Sequence, residues 1–212
     1  LEDLKEILSY TNADKQILCF SATMKASVQD FTDKYLSNPV IITAPKKKIV
    51  LDNITQMVIE TSNRRKFKDL LTLIKINRPS KAIIFCRSRT GTDELYKEML
   101  DQGLSVMPLH GGLTQSKREY TMEAFRNNEF VYLIATDVAA RGIDVNNISH
   151  VFNYNLPDDP ENYVHRIGRT GRAGEMGIAY TLLTQKDDNR LLKIEAFIDM
   201  VLERTNYKPK EK

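Results

Sequence analysis

Three arginines stand three residues apart in His165-Arg166-Ile167-Gly168-Arg169-Thr170-Gly171-Arg172, with glycines set between them. Guanidinium is permanently charged and presents a planar fork of donors, so repeated Arg where Lys would supply equal charge suits bidentate recognition of phosphate oxygens. The same stretch also reads as a helix ending near Gly168 or Gly171, where basic residues suit the negative end of the dipole and Gly forms the cap. A second cluster, Ala135-Thr136-Asp137-Val138-Ala139-Ala140-Arg141-Gly142-Ile143-Asp144, sets a hydroxyl, two carboxylates and an Arg-Gly pair between two apolar runs. That combination is hard to explain as packing. Arg87-Ser88-Arg89-Thr90 places hydroxyls and cations ahead of a helical pattern, which suits an anion or a plain helix cap. His110-Gly111-Gly112 lets the backbone approach a phosphodiester with no side chain between, or simply turns the chain. Gln115 and Arg118 then share one helical face, where Arg118 meets a phosphate or remains an ordinary solvated side chain. Ser21-Ala22-Thr23 offers hydroxyls after another apolar run, again readable as a helix cap.

Apolar runs and helical patterns alternate between these clusters. Apolar residues at 54 and 57–59, and runs over 82–86, 106–109, 131–135, 150–154 and 178–183, predict strands. The intervening periodicity predicts helices near 67–74, 90–102, 113–127 and 161–168, with a closing helix over 187–203. Repeated alternation calls for crossovers, hence an α/β fold with a doubly wound, largely parallel sheet and helices on both faces. Ligands in such sheets gather at the carboxyl ends of the strands, where the clusters lie. Upstream, residues 1, 4, 7 and 8 carry helical spacing, 16–20 reads as a buried strand, 26–36 as a helix and 40–43 as a short strand. Ala44-Pro45-Lys46-Lys47-Lys48 breaks the pattern and is the linker candidate. Its lysines suit solvent as well as phosphate.

The chain has 212 residues, 42% apolar and 28% charged, enough for one α/β domain plus a smaller piece. A net charge of +3 means that any nucleic-acid contact comes from a local patch rather than a global field. Cys19 and Cys86 each sit in an apolar run and form no metal-like cluster with the three histidines, so reduced thiols and no metal are expected. No apolar run is long enough to span a bilayer, and the acidic start is unlike a signal peptide. A soluble, cytoplasmic protein without membrane contact is expected. The first residue is Leu, so a fragment or a processed piece is also expected.

The arginine string preceded by Tyr163-Val164, the segment from Ala135 to Asp144, and Phe20-Ser21-Ala22-Thr23-Met24 followed by a helix and Asn38-Pro39 resemble the motifs of DEAD-box RNA helicases. The resemblance runs from residue 1 to about 198, with the motifs in family order. It implies a RecA-like C-terminal lobe over 53–206, a remnant of the N-terminal lobe over 1–44 carrying the Ser-Ala-Thr motif, a linker over 45–52 and a tail over 207–212. Arg169 and Arg172 would reach the γ-phosphate of ATP across a cleft between two lobes, with Gly142 and Asp144 also on the ATP side. Arg87, Ser88, Gly111, Gly112, Gln115, Arg118, Thr136 and Arg141 would face the RNA backbone without reading sequence. Ser21, Thr23, Asp137, His165 and Arg166 would couple or brace the two sites, Asp137 by orienting its loop or Arg166.

A complete enzyme of this kind needs a glycine-rich phosphate loop and an Asp-Glu-Ala-Asp site for Mg²⁺. The 212 residues contain no Gly-Lys dipeptide, and their Asp93-Glu94 pair continues as Leu95-Tyr96 inside a helical pattern. The expectation is therefore half of a catalyst, inactive alone, acting with an N-terminal lobe that holds ATP and Mg²⁺ to drive local RNA unwinding. A monomer is expected. The alternative is a stand-alone, weak RNA-binding or partner-docking module without catalysis. A dinucleotide-binding oxidoreductase would share the fold class but needs a Gly-x-Gly-x-x-Gly loop, which is absent.

Overall fold

Apolar runs of four to seven residues, too short for helices of their own, become the strands of one sheet in this computed structural model. It describes residues 2–21, 26–43, 52–140, 145–172 and 174–205. The chain divides into two units, Leu1–Lys46 and Lys47–Lys212.

The first unit carries α1 (Glu2–Ser9) and α2 (Ala26–Tyr35). Within α2, Gln29 donates to Asp33 at 2.8 Å and the Phe31 and Tyr35 rings lie 4.9 Å apart, the pairings that a helix places one turn apart. The strands expected over 16–20 and 40–43 are absent: both stretches lack regular structure, and Leu18, Phe20, Val40, Ile41 and Ile42 are exposed. Cys19, expected inside a buried strand, is exposed with them. A strand needs a neighbour to satisfy its backbone, and the described part of this unit contains two helices and no sheet.

The second unit contains β1 (Ile54–Glu60), α3 (Lys66–Asn77), β2 (Ala82–Cys86), α4 (Arg89–Asp101), β3 (Val106–Leu109), α5 (Gln115–Arg126), β4 (Tyr132–Thr136), α6 (Asp137–Ala140), β5 (His150–Asn153), α7 (Pro160–Ile167), β6 (Gly177–Leu183), α8 (Asp188–Ile198) and β7 (Glu203–Thr205). The strand order is β3-β4-β2-β5-β6-β1-β7, and every pairing is parallel. β2 and β4 are buried at every position, as strands covered on both faces must be. On one face Ile84, Ile134 and Phe152 meet Leu70, Leu73 and Ile74 of α3 and Leu95 and Met99 of α4. On the other, Ile83, Leu133 and Val151 meet Phe125 of α5, and Val58 and Ala179 meet Ile167 of α7 and Leu191 of α8. Each of these side chains larger than Ala179 contributes about 1.5–3 kcal/mol by leaving water.

The doubly wound sheet expected from the alternation is the one observed. Its seventh strand was not foreseen. The closing helix, expected to run to 203, stops at Ile198 because Asp199 takes a left-handed cap with φ 53°. The Leu202 N–H then donates to Glu195 Oε1 at 3.0 Å, and the chain turns back to pair β7 with β1.

Candidate nucleotide and nucleic-acid interface

β4 and β5 lie on opposite sides of β2, so the chain changes direction there and opens a crevice beyond the carboxyl ends of the three strands. Cys86 is in register with Thr136, and Phe85 with Asn153.

Arg166, on the last turn of α7, reaches into this edge and is 2% exposed. Its Nε and Nη2 donate to the two carboxylate oxygens of Asp137 at 2.5 and 2.8 Å. Nη1 donates to the Asn155 carbonyl at 2.6 Å and to Asn153 Oδ1 at 3.2 Å. The guanidinium lies 5.0 Å from the centroid of the Phe85 ring. A buried charge is tolerated only when paired and hydrogen bonded on every side, and this one is. Arg166 thus brackets α7, β2, β5 and the turn after β4. Burial pushes the adjacent Cys86 thiol up to about 12, against the opposing charges of Arg166 and Lys66, which leaves it protonated and inert.

Arg169 and Arg172 are placed differently. Their Nε atoms donate to backbone carbonyls four residues back, Arg169 to His165 at 3.1 Å and Arg172 to Gly168 at 2.8 Å. His165 itself is exposed. The loop that carries these arginines is fixed from below. Buried Thr170 donates to the carbonyls of Ile148 and Ser149. Gly171, at φ 67°, presses so close to β1 that a Cβ would stand 2.6 Å from Ile54 Cγ1. A Cβ on Gly177 would collide with Thr170 Oγ1. α7 ends at Ile167 with Gly168 as its cap, and Arg169 and Arg172 follow on the loop, each bonded to a carbonyl near the end of the helix.

Thr136 ends β4, largely buried. Ser88 is the N-cap of α4, its Oγ accepting from the Gly91 N–H at 3.1 Å. The Arg87 guanidinium turns toward carboxylates, 3.6 Å from Asp187 and 4.0 Å from Asp158, which Arg190 also meets at 2.5 and 3.0 Å. Burial pushes the Asp187 carboxyl up, but the Thr184 hydroxyl and the charges of Lys66, Arg190 and Arg87 outweigh it and hold it below the usual range. Gln115 and Arg118 lie on one face of α5, with Arg118 Nη1 donating to Gln115 Oε1 at 3.4 Å and its buried Nε unpartnered. Gly111 and Gly112 form the turn after β3. Ser21 belongs to the first unit. Thr23, Arg141, Gly142 and Asp144 lie outside the described residues.

Sequence reasoning missed Asn153, Asn155, Thr170, Gly177 and the Asp158–Asp187–Arg190 cluster. Two asparagines closing an apolar run were the available signal for the first pair. Among the described residues no three His, Cys, Asp or Glu side chains gather to hold a metal ion, and no helix is long and apolar enough to cross a membrane.

Residues 65–174 match the model of the helicase conserved C-terminal domain. The chain belongs to that family. Its relatives are DEAD-box proteins. It is 41% identical to the DEAD-box ATP-dependent RNA helicase CshA of Bacillus licheniformis, across 92% of this chain and 40% of that protein. Among solved structures, S. cerevisiae Dbp5 bound to RNA and ADP BeF3 aligns with a TM-score of 0.83 at 30% identity, over 97% of this chain and 55% of that one. A DEAD box protein of Methanococcus jannaschii aligns with a TM-score of 0.70 at 36% identity, over 97% and 55%. The DEAD-box resemblance and the RecA-like fold are thereby established. The chain spans about 40% of the length of the curated relatives it matches.

Proposed function

We propose that this chain is the C-terminal part of an ATP-dependent RNA helicase. It grips the RNA backbone and presents Arg169 and Arg172 to ATP held by a preceding lobe. One observation carries the reading: Arg166 is committed to the bracket, whereas Arg169 and Arg172 stand on the loop after α7, their Nε atoms bonded to carbonyls four residues back and the loop itself pinned at Thr170 and Gly171. Arginine side chains placed in this way stabilise charge that develops on a transferring phosphoryl group. Gly111, Gly112, Gln115, Arg118 and Thr136 supply the RNA-backbone face, and Gly142, Asp144 and Arg141 complete the two sites.

Residues 1–44 are the tail of the preceding lobe, with Ser21 and Thr23 as its coupling hydroxyls. The exposed apolar stretches at 16–20 and 40–43 support this, because they match strands without a sheet. Mg²⁺ chemistry then belongs to the preceding lobe.

Two assays test the reading. The purified 212-residue chain should not hydrolyse ATP, with or without RNA, whereas the protein carrying both lobes should release a strand from a short RNA duplex only with ATP. RNA-stimulated turnover by the chain alone, or no ATP-dependent release by the two-lobe protein, would refute it.

A further inference from the structure

Tyr163 and Arg166 stand about one turn apart on α7, and each sends a polar group into the sheet below. Arg166 can only donate, so its Nη1 fixes the Asn153 carboxamide with Oδ1 toward the guanidinium, at 3.2 Å. The other end of that carboxamide, Nδ2, donates to Thr181 Oγ1 at 3.1 Å, across the β5–β6 pairing that sets the two residues in register. With Oγ1 accepting, the Thr181 hydroxyl proton is left for Tyr163. Burial pushes the Tyr163 phenol up, and a hydrogen bond from Thr181 opposes that shift. The phenol donates in turn to Gln56 Oε1 of β1 at 2.9 Å, and Gln56 Nε2 meets Met200 Sδ at 3.9 Å. Every bond thus runs in one direction, from Arg166 across β5, β6 and β1.

The residues of this run are withdrawn from water: Asn153 and Thr181 are 0% exposed, Tyr163 1% and Gln56 9%. Apolar side chains of the same shape would fill that space with no polar group to desolvate. Packing alone therefore does not call for a polar run between α7 and the sheet. What hydrogen bonds add is direction. α7 has eight residues, and the apolar contacts of Ile167 with Val58 and Ala179 hold it on the sheet without fixing its rotation. Fastening it at Tyr163 and again at Arg166 does fix it. The rotation is passed on, because Arg169 and Arg172 are bonded to the carbonyls of His165 and Gly168 at the end of the helix.

Resting on the arginine reading above, we propose that Thr181, Tyr163 and Gln56 are positioning residues for the ATP reaction, whose hydrogen bonds set the rotation of α7 and so the aim of Arg169 and Arg172. All three lie beneath the site and act through the helix.

The test is RNA-stimulated phosphate release by the protein carrying both lobes, with kcat, the KM for ATP and the unfolding midpoint recorded for each variant. Tyr163→Phe removes one oxygen and keeps the ring. It should lower kcat about tenfold, as a small misplacement of reacting groups does, while the KM for ATP stays within about twofold. Gln56→Leu should act alike, and the double variant should fall no further than the lower single, because both remove the same bond. Thr181→Ser, which keeps the hydroxyl, should retain more turnover than the isosteric Thr181→Val. Ile74→Val, in the core on the other face of the sheet, lowers the unfolding midpoint without touching α7 and should leave kcat unchanged. Arg172→Ala is measured alongside. Suppose that it loses turnover while Tyr163→Phe keeps a wild-type kcat, the two singles multiply in the double, Val matches Ser at 181, or Ile74→Val loses as much as Tyr163→Phe. Any of these would overturn the positioning role and leave the arginine reading standing. Normal turnover in Arg172→Ala would overturn the arginine reading and this role with it.

Discussion

The bracket around Arg166 and the turn at Gly111–Gly112 lie at the carboxyl ends of neighbouring strands but are built in opposite ways. The bracket is made of side chains: a buried guanidinium spends its donors on Asp137, Asn153 and the Asn155 carbonyl. The turn is made by their absence, since any Cβ at Gly111 or Gly112 would crowd Arg89 or His110. Fixing a charge indoors couples a region to the stability of the whole sheet, whereas exposing backbone couples it to a ligand. Damage to the first should therefore appear in unfolding, and damage to the second in binding.

The largest effect should come from breaking the bracket. Arg166→Ala empties a buried site and leaves the half-buried Asp137 carboxylate without its partner, and should cost about 3 kcal/mol of stability by denaturant unfolding. A loss below about 1 kcal/mol would mean that Arg166 is not structural.

On the binding side, Arg118→Ala and Thr136→Val should each weaken single-stranded RNA binding severalfold without changing base preference. Arg118→Ala should also reduce the salt slope by about 0.7, as one phosphate contact is lost. An unfolding midpoint that falls as far as that of Arg166→Ala would erase the contrast between the regions.

The smallest effect sharpens the comparison at the far end of β5. Burial of the His150 ring, stacked with Phe152 and Tyr180, holds its pKa below 6.5. The unfolded chain therefore takes up a proton that the folded chain refuses as pH falls below about 6.5, and stability declines from there toward the lowered folded value. Asp187 acts at lower pH, because its depressed carboxyl contributes stability that is lost as pH falls from the ordinary carboxylate range through the folded value. Melting temperatures between pH 7.5 and 5.5 should drop in the wild type and flatten in His150→Phe. An equal drop in both would remove His150 from the account.

Most of the sheet was legible because parallel strands covered on both faces are continuous apolar runs, as in Ala82–Cys86 and Tyr132–Thr136. The same signal misled at 16–20 and 40–43, where apolar runs stand exposed without a sheet. β7 was hidden because Glu203-Arg204-Thr205 has no apolar pattern and is placed by the left-handed turn at Asp199. Within the site, residue type and spacing pointed to Arg166, Arg169 and Arg172 alike and only the resemblance set Arg166 apart; its burial against Asp137 is what spacing does not encode. The Asn153 carboxamide and the Asn155 carbonyl accept from Arg166, and the Thr170 hydroxyl donates to carbonyls of a distant segment, so no local pattern announced them.

The arginine string is the centre of the account, and Arg172→Ala in the protein carrying both lobes tests it most directly, by RNA-stimulated phosphate release. Turnover should fall about 10³-fold, the lower end for an arginine that stabilises a phosphoryl transition state, with RNA affinity and unfolding midpoint nearly unchanged. Near-normal turnover with a stability loss of about 0.3–1 kcal/mol, the size of a cation's effect on carbonyls at a helix end, would show that Arg172 only braces the loop after α7 through the Gly168 carbonyl.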